Sequence, residues 1–380
     1  MAITSIARDR IDLAKTAYTA RRVDPARMAT LVNGDAVPRP GDLVLARVVE
    51  LGQHDKIEFA DGRRGQLFPN DEIVVCFGNR YAPDQFEAEV PPNLRRCHLV
   101  AGGGVAGRVL SAHPLMKDPT TIKPIGLVAD AAGRVLNARQ GALAPLDPPV
   151  GARRPKIIVS LGTSMNAGKT TSAAYLVHGL TKAGLRVGAA KVTGTGAGKD
   201  VLMMKDAGAV RVYDFTDAGY ATTYLHSTEQ CLDIVGLLTA HLAADDVDAI
   251  VLEVADGLYQ RETKDLVCHP RFRAMIDSVM FAAGDAIGGV AGVEWLQGRG
   301  LPVVGLSGML TASPLAIREA QAGTKLPVWD LETLAAPAIA AAAFPPAAKS
   351  DSVLSVSPES RFAIEAFGGR IGDERWAATA

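Results

Sequence analysis

Apolar and polar positions follow two rhythms along the chain, and the change comes near residue 150. Residues 43–51, 56–60, 65–68 and 72–77 are short runs rich in Val, Ile, Leu and Phe, separated by Gly, Asp, Asn and Pro. Runs of that length and spacing predict the strands of a small barrel or sandwich. Residues 102–110, 124–129 and 134–137 continue the texture, with the turn-like Asp130-Ala-Ala-Gly133 between the last two. Ahead of them, residues 6–15 form an amphipathic segment and 25–31 a helix-friendly one. Positions 1–37 are therefore expected to be an N-terminal helical arm with solvated charges. Residues 38–145 are the β-rich domain, and the proline-rich 145–149 reads as its linker.

Beyond the linker, strand and helix patterns alternate. Strands are predicted over 156–162, 185–191, 209–213, 248–253, 277–282 and 301–306, and helices over 168–183, 228–243 and 285–298, the first closed by Gly184. Residues 314–343 can add one more α-β-α. The alternation predicts an α/β domain over 150–343, a mostly parallel, doubly wound sheet with helices on both faces. Ligands of such sheets bind outside the carboxyl ends of the strands. Residues 344–380, opening with Phe344-Pro-Pro-Ala-Ala, read as a partly ordered tail.

The chain has 380 residues, enough for two domains with buried cores. Lys and Arg number 40 against 41 Asp and Glu, and the first 150 residues carry 19 basic and 17 acidic side chains. That balance argues against a polyanion binder, so no nucleic-acid partner is expected. Cys76, Cys97, Cys231 and Cys268 are scattered, form no C-x-x-C pair and sit beside no secretory segment, which favours a reducing cytoplasm over structural zinc. No apolar stretch has the length of a bilayer span, and the Ala-rich piece near 335–344 is broken by Pro337. A soluble, cytoplasmic protein is expected.

The chemistry starts at Gly162-Thr-Ser-Met-Asn-Ala-Gly168-Lys169-Thr170-Thr171, between the apolar run 156–161 and the helix-like 172–180. Strand, glycine loop, Gly-Lys-Thr and helix is the order of a phosphate-binding loop. Its N–H groups and helix N-terminus face the phosphates, Lys169 reaches the outer ones, and Thr170 offers a hydroxyl to Mg²⁺. Thr163, Ser164, Asn166, Ala167, Gly168 and Thr171 complete the expected nucleotide-binding set. Thr163 stands where G-x-x-x-x-G-K-[ST] has its first glycine. The nearest, Gly162, is one residue earlier, which lengthens the loop by one.

Two further strand ends carry candidates. Lys191-Val-Thr-Gly-Thr-Gly-Ala-Gly-Lys-Asp200 looks like a second phosphate loop but ends in Asp where Ser or Thr would be needed. It is expected to fold over the γ-phosphate, with Lys191 or Lys199 stabilising transferred charge and Asp200 helping to hold Mg²⁺; a solvated surface loop is the alternative. In Ile250-Val-Leu-Glu253-Val-Ala-Asp256-Gly257 a carboxylate closes an apolar strand. P-loop enzymes hold the metal or its water from such a position, so Glu253 is the first choice and Asp256 the second, with Asp256 also a catalytic candidate. A strand that simply ends at the surface in an acid is the alternative. Residues 214–223 could line a co-substrate pocket and 259–264 could meet an acidic or phosphorylated co-substrate. Cys268, His269, His226 and His241 lack metal-ligand spacing, and no G-x-S-x-G elbow occurs.

These residues resemble the P-loop group that contains dethiobiotin synthetase, the cobyrinic acid amidases and the molybdopterin-guanine dinucleotide accessory protein MobB. Gly162-Thr-x4-Gly168-Lys169-Thr170 is similar to the G-T-x4-G-K-T of dethiobiotin synthetase. Lys191 falls where that family has a lysine after its second strand, and Glu253 where it has the acid of its V-E-G motif. Asp200 with Lys205-Asp-Ala-Gly-Ala209 resembles a stretch of MobB-like proteins. The likeness covers about residues 155–310. Val254-Ala255 departs from the glycine that follows the family's acid, and Ser164 stands where the deviant-Walker subgroup has its signature lysine.

The resemblance implies a Mg²⁺-ATP enzyme that activates a small carboxylate or transfers a phosphoryl group, acting on a small-molecule substrate, and it implies a homodimer. Lys169, Lys191 and Asp256 would be catalytic, and Thr170, Glu253 and Asp200 would serve the metal. An NTP-binding accessory protein or switch of MobB type is the alternative, and a polynucleotide kinase a more distant one. ATP is favoured over GTP because no N-K-x-D tetrapeptide is present. Ser307-Gly-Met-Leu-Thr-Ala-Ser-Pro314 would be the loop on the base side.

Overall fold

A computed structural model describes residues 2–146, 153–338 and 343; most of the expected linker and the whole expected tail lie outside the described residues. The N-terminal half is built from β1 (Ala2–Ser5), α1 (Arg8–Leu13), β2 (Lys15–Thr16), β3 (Thr30–Asn33), β4 (Leu43–Glu50), β5 (Lys56–Glu58) and β6 (Arg64–Gln66). It continues with β7 (Glu72–Phe77), β8 (Phe86–Glu89), β9 (Cys97–Ala101), β10 (Val105–Ala112) and β11 (Thr120–Ala129). β4 pairs with β7 and β11, β7 with β10, β10 with β9, and β9 with β11. Those pairings close a five-stranded ring, so the β region is a barrel and not a sandwich. Along β4 and β7, Val44, Ala46, Val48, Ile73, Val75 and Phe77 fill one core, while Leu43, Leu45, Val74 and Cys76 fill another. Both faces of these strands are buried, which is why they read as continuous apolar runs.

The second core is covered by the first 37 residues, which do not form a helical arm. β1 pairs with β3, β3 with β11, and β2 with β7, and regular helix is confined to α1 and short 3-10 turns at Tyr18–Ala20 and Pro25–Arg27. The helix-friendly stretch stops because Met28 and Leu31 bury against the barrel beside Ile11 and Val23. Tertiary burial outweighs helix propensity there.

The second half consists of β12 (Lys156–Gly162), α2 (Lys169–Lys182), β13 (Val187–Lys191), α3 (Gly198–Asp206), β14 (Arg211–Asp214), α4 (Thr228–Ala244) and β15 (Ala249–Glu253). It ends with α5 (Arg261–Cys268), α6 (Pro270–Met275), β16 (Ser278–Ala282), α7 (Ala286–Gln297), β17 (Val303–Ser307), α8 (Pro314–Thr324) and α9 (Leu331–Ala335). The strands run in the order β14-β13-β15-β12-β16-β17, every pair parallel. Ile157, Val159 and Leu161 point to a core shared with α4 to α8, and Ile158 to one shared with α2, α3 and α9. This is the doubly wound P-loop α/β fold. Among the described residues of 314–343 the expected strand shrinks to a single bridge, Val328 beside Leu306.

Barrel and sheet form one compact unit. The Tyr18 hydroxyl donates to Asp214 Oδ2 at 2.9 Å, and Arg21 pairs with Asp217 at 2.8 Å and Asp214 at 3.7 Å. Glu58 of β5 is buried and accepts the N–H groups of Gly198 and Lys199, capping α3 from the barrel side. No described helix is long and apolar enough to cross a membrane.

Candidate functional site

β12 delivers the phosphate-loop motif to the middle of the sheet, between β15 and β16. The turn into α2 needs left-handed backbone at Asn166 (φ 63°) and Gly168 (φ 100°), and a Cβ on Gly168 would lie 2.9 Å from Gly308 Cα. The Met309 N–H donates to Ala167 O at 3.0 Å, and Ser172 Oγ bonds Ser307 Oγ at 3.0 Å. The loop after β17 therefore backs the phosphate loop. Ser160 Oγ holds Lys169 O at 3.0 Å, and Lys169 Nζ donates to Ser164 O at 2.6 Å. Among the described residues, the N–H groups of Asn166, Gly168, Lys169 and Thr170 make no backbone bond. Such orphan donors at a helix start receive an anion.

The structure brings the three strand ends together. Thr170 Oγ1 donates to Glu253 Oε1 at 2.7 Å. Lys191 Nζ lies 3.5 Å from the same oxygen and also pairs with Asp200. Glu253 Oε2 is buried with no hydrogen-bond partner among the described residues. Burial pushes the Glu253 carboxyl above the usual range against the pull of Lys191. Burial works against the Lys191 charge too, yet Glu253 and Asp200 outweigh it and hold the ammonium above ordinary lysine. Lys169 is lowered by burial, with Asp256 and Glu253 opposing. Asp256 is raised by burial, with Lys169, Lys191 and Arg80 opposing. Among the described residues no group of three or more His, Cys, Asp or Glu side chains forms a metal cage.

Several expectations change in detail. The stretch 191–200 is not all loop: α3 begins at Gly198, so Asp200 sits in a first helical turn while Lys199 is exposed. Asp214 does not line the cavity between barrel and sheet but anchors Tyr18 and Arg21 of the barrel half, and Asp217 anchors Arg21 with it. In the 259–264 segment, Glu262 is buried and accepts the Leu225 N–H at 2.8 Å, while Tyr259 is exposed. All four cysteines are free thiols.

A cavity of about 520 Å³ separates the barrel from this cluster. Its sheet wall includes Met165, Lys191, Asp200 and Asp256; its barrel wall includes His54, Lys56, Glu58, Arg64, Arg80 and Gln85. Sequence reasoning missed the entire barrel wall. The one local signal was a charged residue in Asn79-Arg80-Tyr81-Ala82-Pro83, directly after an apolar strand. The barrel also touches the phosphate loop itself, through a hydrogen bond from Asn166 Nδ2 to Asp84.

No family model and no curated protein matches the chain. Similar solved structures include the signal recognition particle 54 kDa protein from Aeropyrum pernix K1 in complex with GDP, at 18% identity over 50% of this chain and 44% of that one, TM-score 0.36. The receptor FtsY from Elizabethkingia anophelis matches at 15% identity over 47% and 58%, TM-score 0.31. Chloroplast FtsY from Physcomitrella patens matches at 15% over 55% and 71%, TM-score 0.35. The chain spans about half the length of the first two.

Proposed function

We propose that the protein is a Mg²⁺- and ATP-dependent enzyme of the dethiobiotin synthetase-like group. It would activate a small carboxylate-bearing molecule, or transfer a phosphoryl group to it. The observation that carries this reading is the polar cavity beside the phosphate loop, with Lys191 and Asp256 on its wall. A nucleotide switch needs no such chamber; a two-substrate enzyme does.

Lys169 would bind the β- and γ-phosphates of the ATP substrate, with the loop from Thr163 to Thr171 supplying backbone donors. Thr170 and Glu253 fit Mg²⁺: one hydroxyl and one carboxylate with a spare buried oxygen, the sparse protein share that Mg²⁺ takes when phosphates and water complete its shell. Asp200 would assist from its place on Lys191. Bound Mg²⁺ would spread the phosphate charge. Lys191 would neutralise charge growing on the transferred group. The substrate oxygen bonds to the γ-phosphorus as the bond to the β,γ-bridging oxygen breaks and ADP leaves. A carboxylate nucleophile carries no proton to remove. A hydroxyl would give its proton to Asp256, which burial makes a stronger base than an ordinary carboxylate. A cytoplasmic homodimer is part of the same reading.

The accessory-protein reading rests on a different contact. Because Asn166 of the phosphate loop touches Asp84 of the barrel, phosphate binding would be felt there. ADP release measured with and without a panel of small acids separates the two. Turnover that rises steeply with one acid supports the enzyme; slow turnover that no acid accelerates sinks it and favours the switch.

A further inference from the structure

Arg80 is 5% exposed, lines the cavity, and is pinned by reciprocal backbone bonds to Ala88 at 2.7 and 2.9 Å. Among the described residues its guanidinium has only neutral partners. Nη1 meets His54 Nε2 at 3.0 Å, and Nη2 donates to Gln85 Oε1 at 2.7 Å. His54 gives its other ring hydrogen to the Val100 carbonyl, which leaves Nε2 to accept from Arg80, and burial with the Arg80 charge pushes its pKa down to about 4. Among the described residues Nε of Arg80 is buried with no partner and no carboxylate lies within ion-pair distance of the group. Asp256 and Asp84 act on it only through space.

Burying a guanidinium without a counter-charge is costly, and a planar fork of N–H donors matches a carboxylate. The other basic groups of the cavity do not share this state. Lys191 is paired twice, Lys56 is exposed to solvent, and Arg64, at 57% side-chain exposure, is solvated near Glu58. We infer that Arg80 is the anchor for a carboxylate of the small molecule that enters this cavity. Its substrate class is then a small acid whose anchored carboxylate is a spectator, with a second polar group turned to Lys191 and Asp256. A carboxylate held in such a fork is a weakened nucleophile, so the reacting group is the other one. The inference rests on the two-substrate reading above and narrows it.

The test uses the full chain and three diacids, malonate, succinate and glutarate, titrated calorimetrically with and without Mg²⁺ and a non-hydrolysable ATP analogue. At least one diacid is expected to bind at millimolar concentration or better, and its diamide not to bind. Arg80→Gln is expected to weaken the diacid about 10- to 100-fold, the range for a charge-assisted hydrogen bond, with analogue affinity unchanged. Arg80→Lys, which keeps the charge without the fork, should fall between. Three results overturn the inference: no diacid binds the wild type, the diamide binds as well as the diacid, or Arg80→Gln binds the diacid undiminished. The diamide comparison needs no variant, so it decides even if Arg80→Gln fails to fold. Loss of analogue binding by the wild type would be a failure of the nucleotide reading, recorded separately in the same titrations.

Discussion

The Thr170 hydroxyl donates to Glu253 Oε1 at 2.7 Å, tying the first turn of α2 to the last residue of β15. In a parallel sheet with β12 beside β15, this places a hydroxyl and a carboxylate on one point beyond the strand ends. Glu253→Gln keeps the shape and removes the charge. Mg²⁺-dependent turnover is expected to fall on the order of 10²-fold, while nucleotide affinity in EDTA stays close to wild type. A variant with wild-type kcat would remove Glu253 from the metal's surroundings.

Arg21 is the centre of the barrel-to-sheet dock. Arg21→Ala would strand Asp214, 1% exposed at its side chain, without its cation and leave Asp217 to Arg22 alone, at 3.2 Å. The expected cost is about 3–5 kcal/mol in urea unfolding, the range for breaking a buried pair on one side. A cost under about 1 kcal/mol, the value of an exposed pair, would contradict this dock.

Gly257 shows how tightly the β15 loop lies on the phosphate loop. A Cβ there would sit 2.3 Å from Thr163 O, which is backbone and has little room to move. Gly257→Ala is expected to destabilise by about 1–3 kcal/mol and to weaken nucleotide binding as Thr163 is displaced. Unchanged Tm and Kd together would show that the two loops separate freely.

His54 supplies a pH signature. Its pKa falls from 6.5 to about 4 because burial and then Arg80 disfavour the imidazolium. The unfolded chain binds that proton first, so the contribution to stability is complete above pH 6.5 and is lost as pH falls through 4. It amounts to roughly 3 kcal/mol. His226, also lowered to about 4, titrates in the same window. The check is therefore the difference between wild type and His54→Gln: the variant's stability should fall less steeply between pH 6.5 and 4. Parallel curves would mean that His54 is not held neutral.

The α/β half was legible because its signals are local. Ile157, Ile158, Val159 and Leu161 announce a buried strand, Gly168-Lys169-Thr170 the turn and helix, and Glu253 ends an apolar run. Helices α5 and α6 passed unnoticed, since Arg261 to Met275 is broken by Pro270 into pieces of eight and six residues. The barrel wall of the cavity was illegible for another reason. Arg80 and Gln85 share a loop, but His54 joins them from 26 residues away and Lys191 and Asp256 face them from the other half of the chain, which no local spacing records. The first 37 residues were misread for a related cause: the apolar residues that suit a helix there, Met28 and Leu31, are spent on the barrel's outer face.

Chemistry at the cavity wall requires that the loop around Lys169 bind a nucleotide. Titrating the wild type and Lys169→Ala with an ATP analogue and Mg²⁺ tests it most directly. Saturable binding is expected of the wild type, with a loss of at least about tenfold in Lys169→Ala, roughly 1.4 kcal/mol or more, and the fold intact by circular dichroism. No binding by the wild type, or equal binding by both proteins, would contradict it.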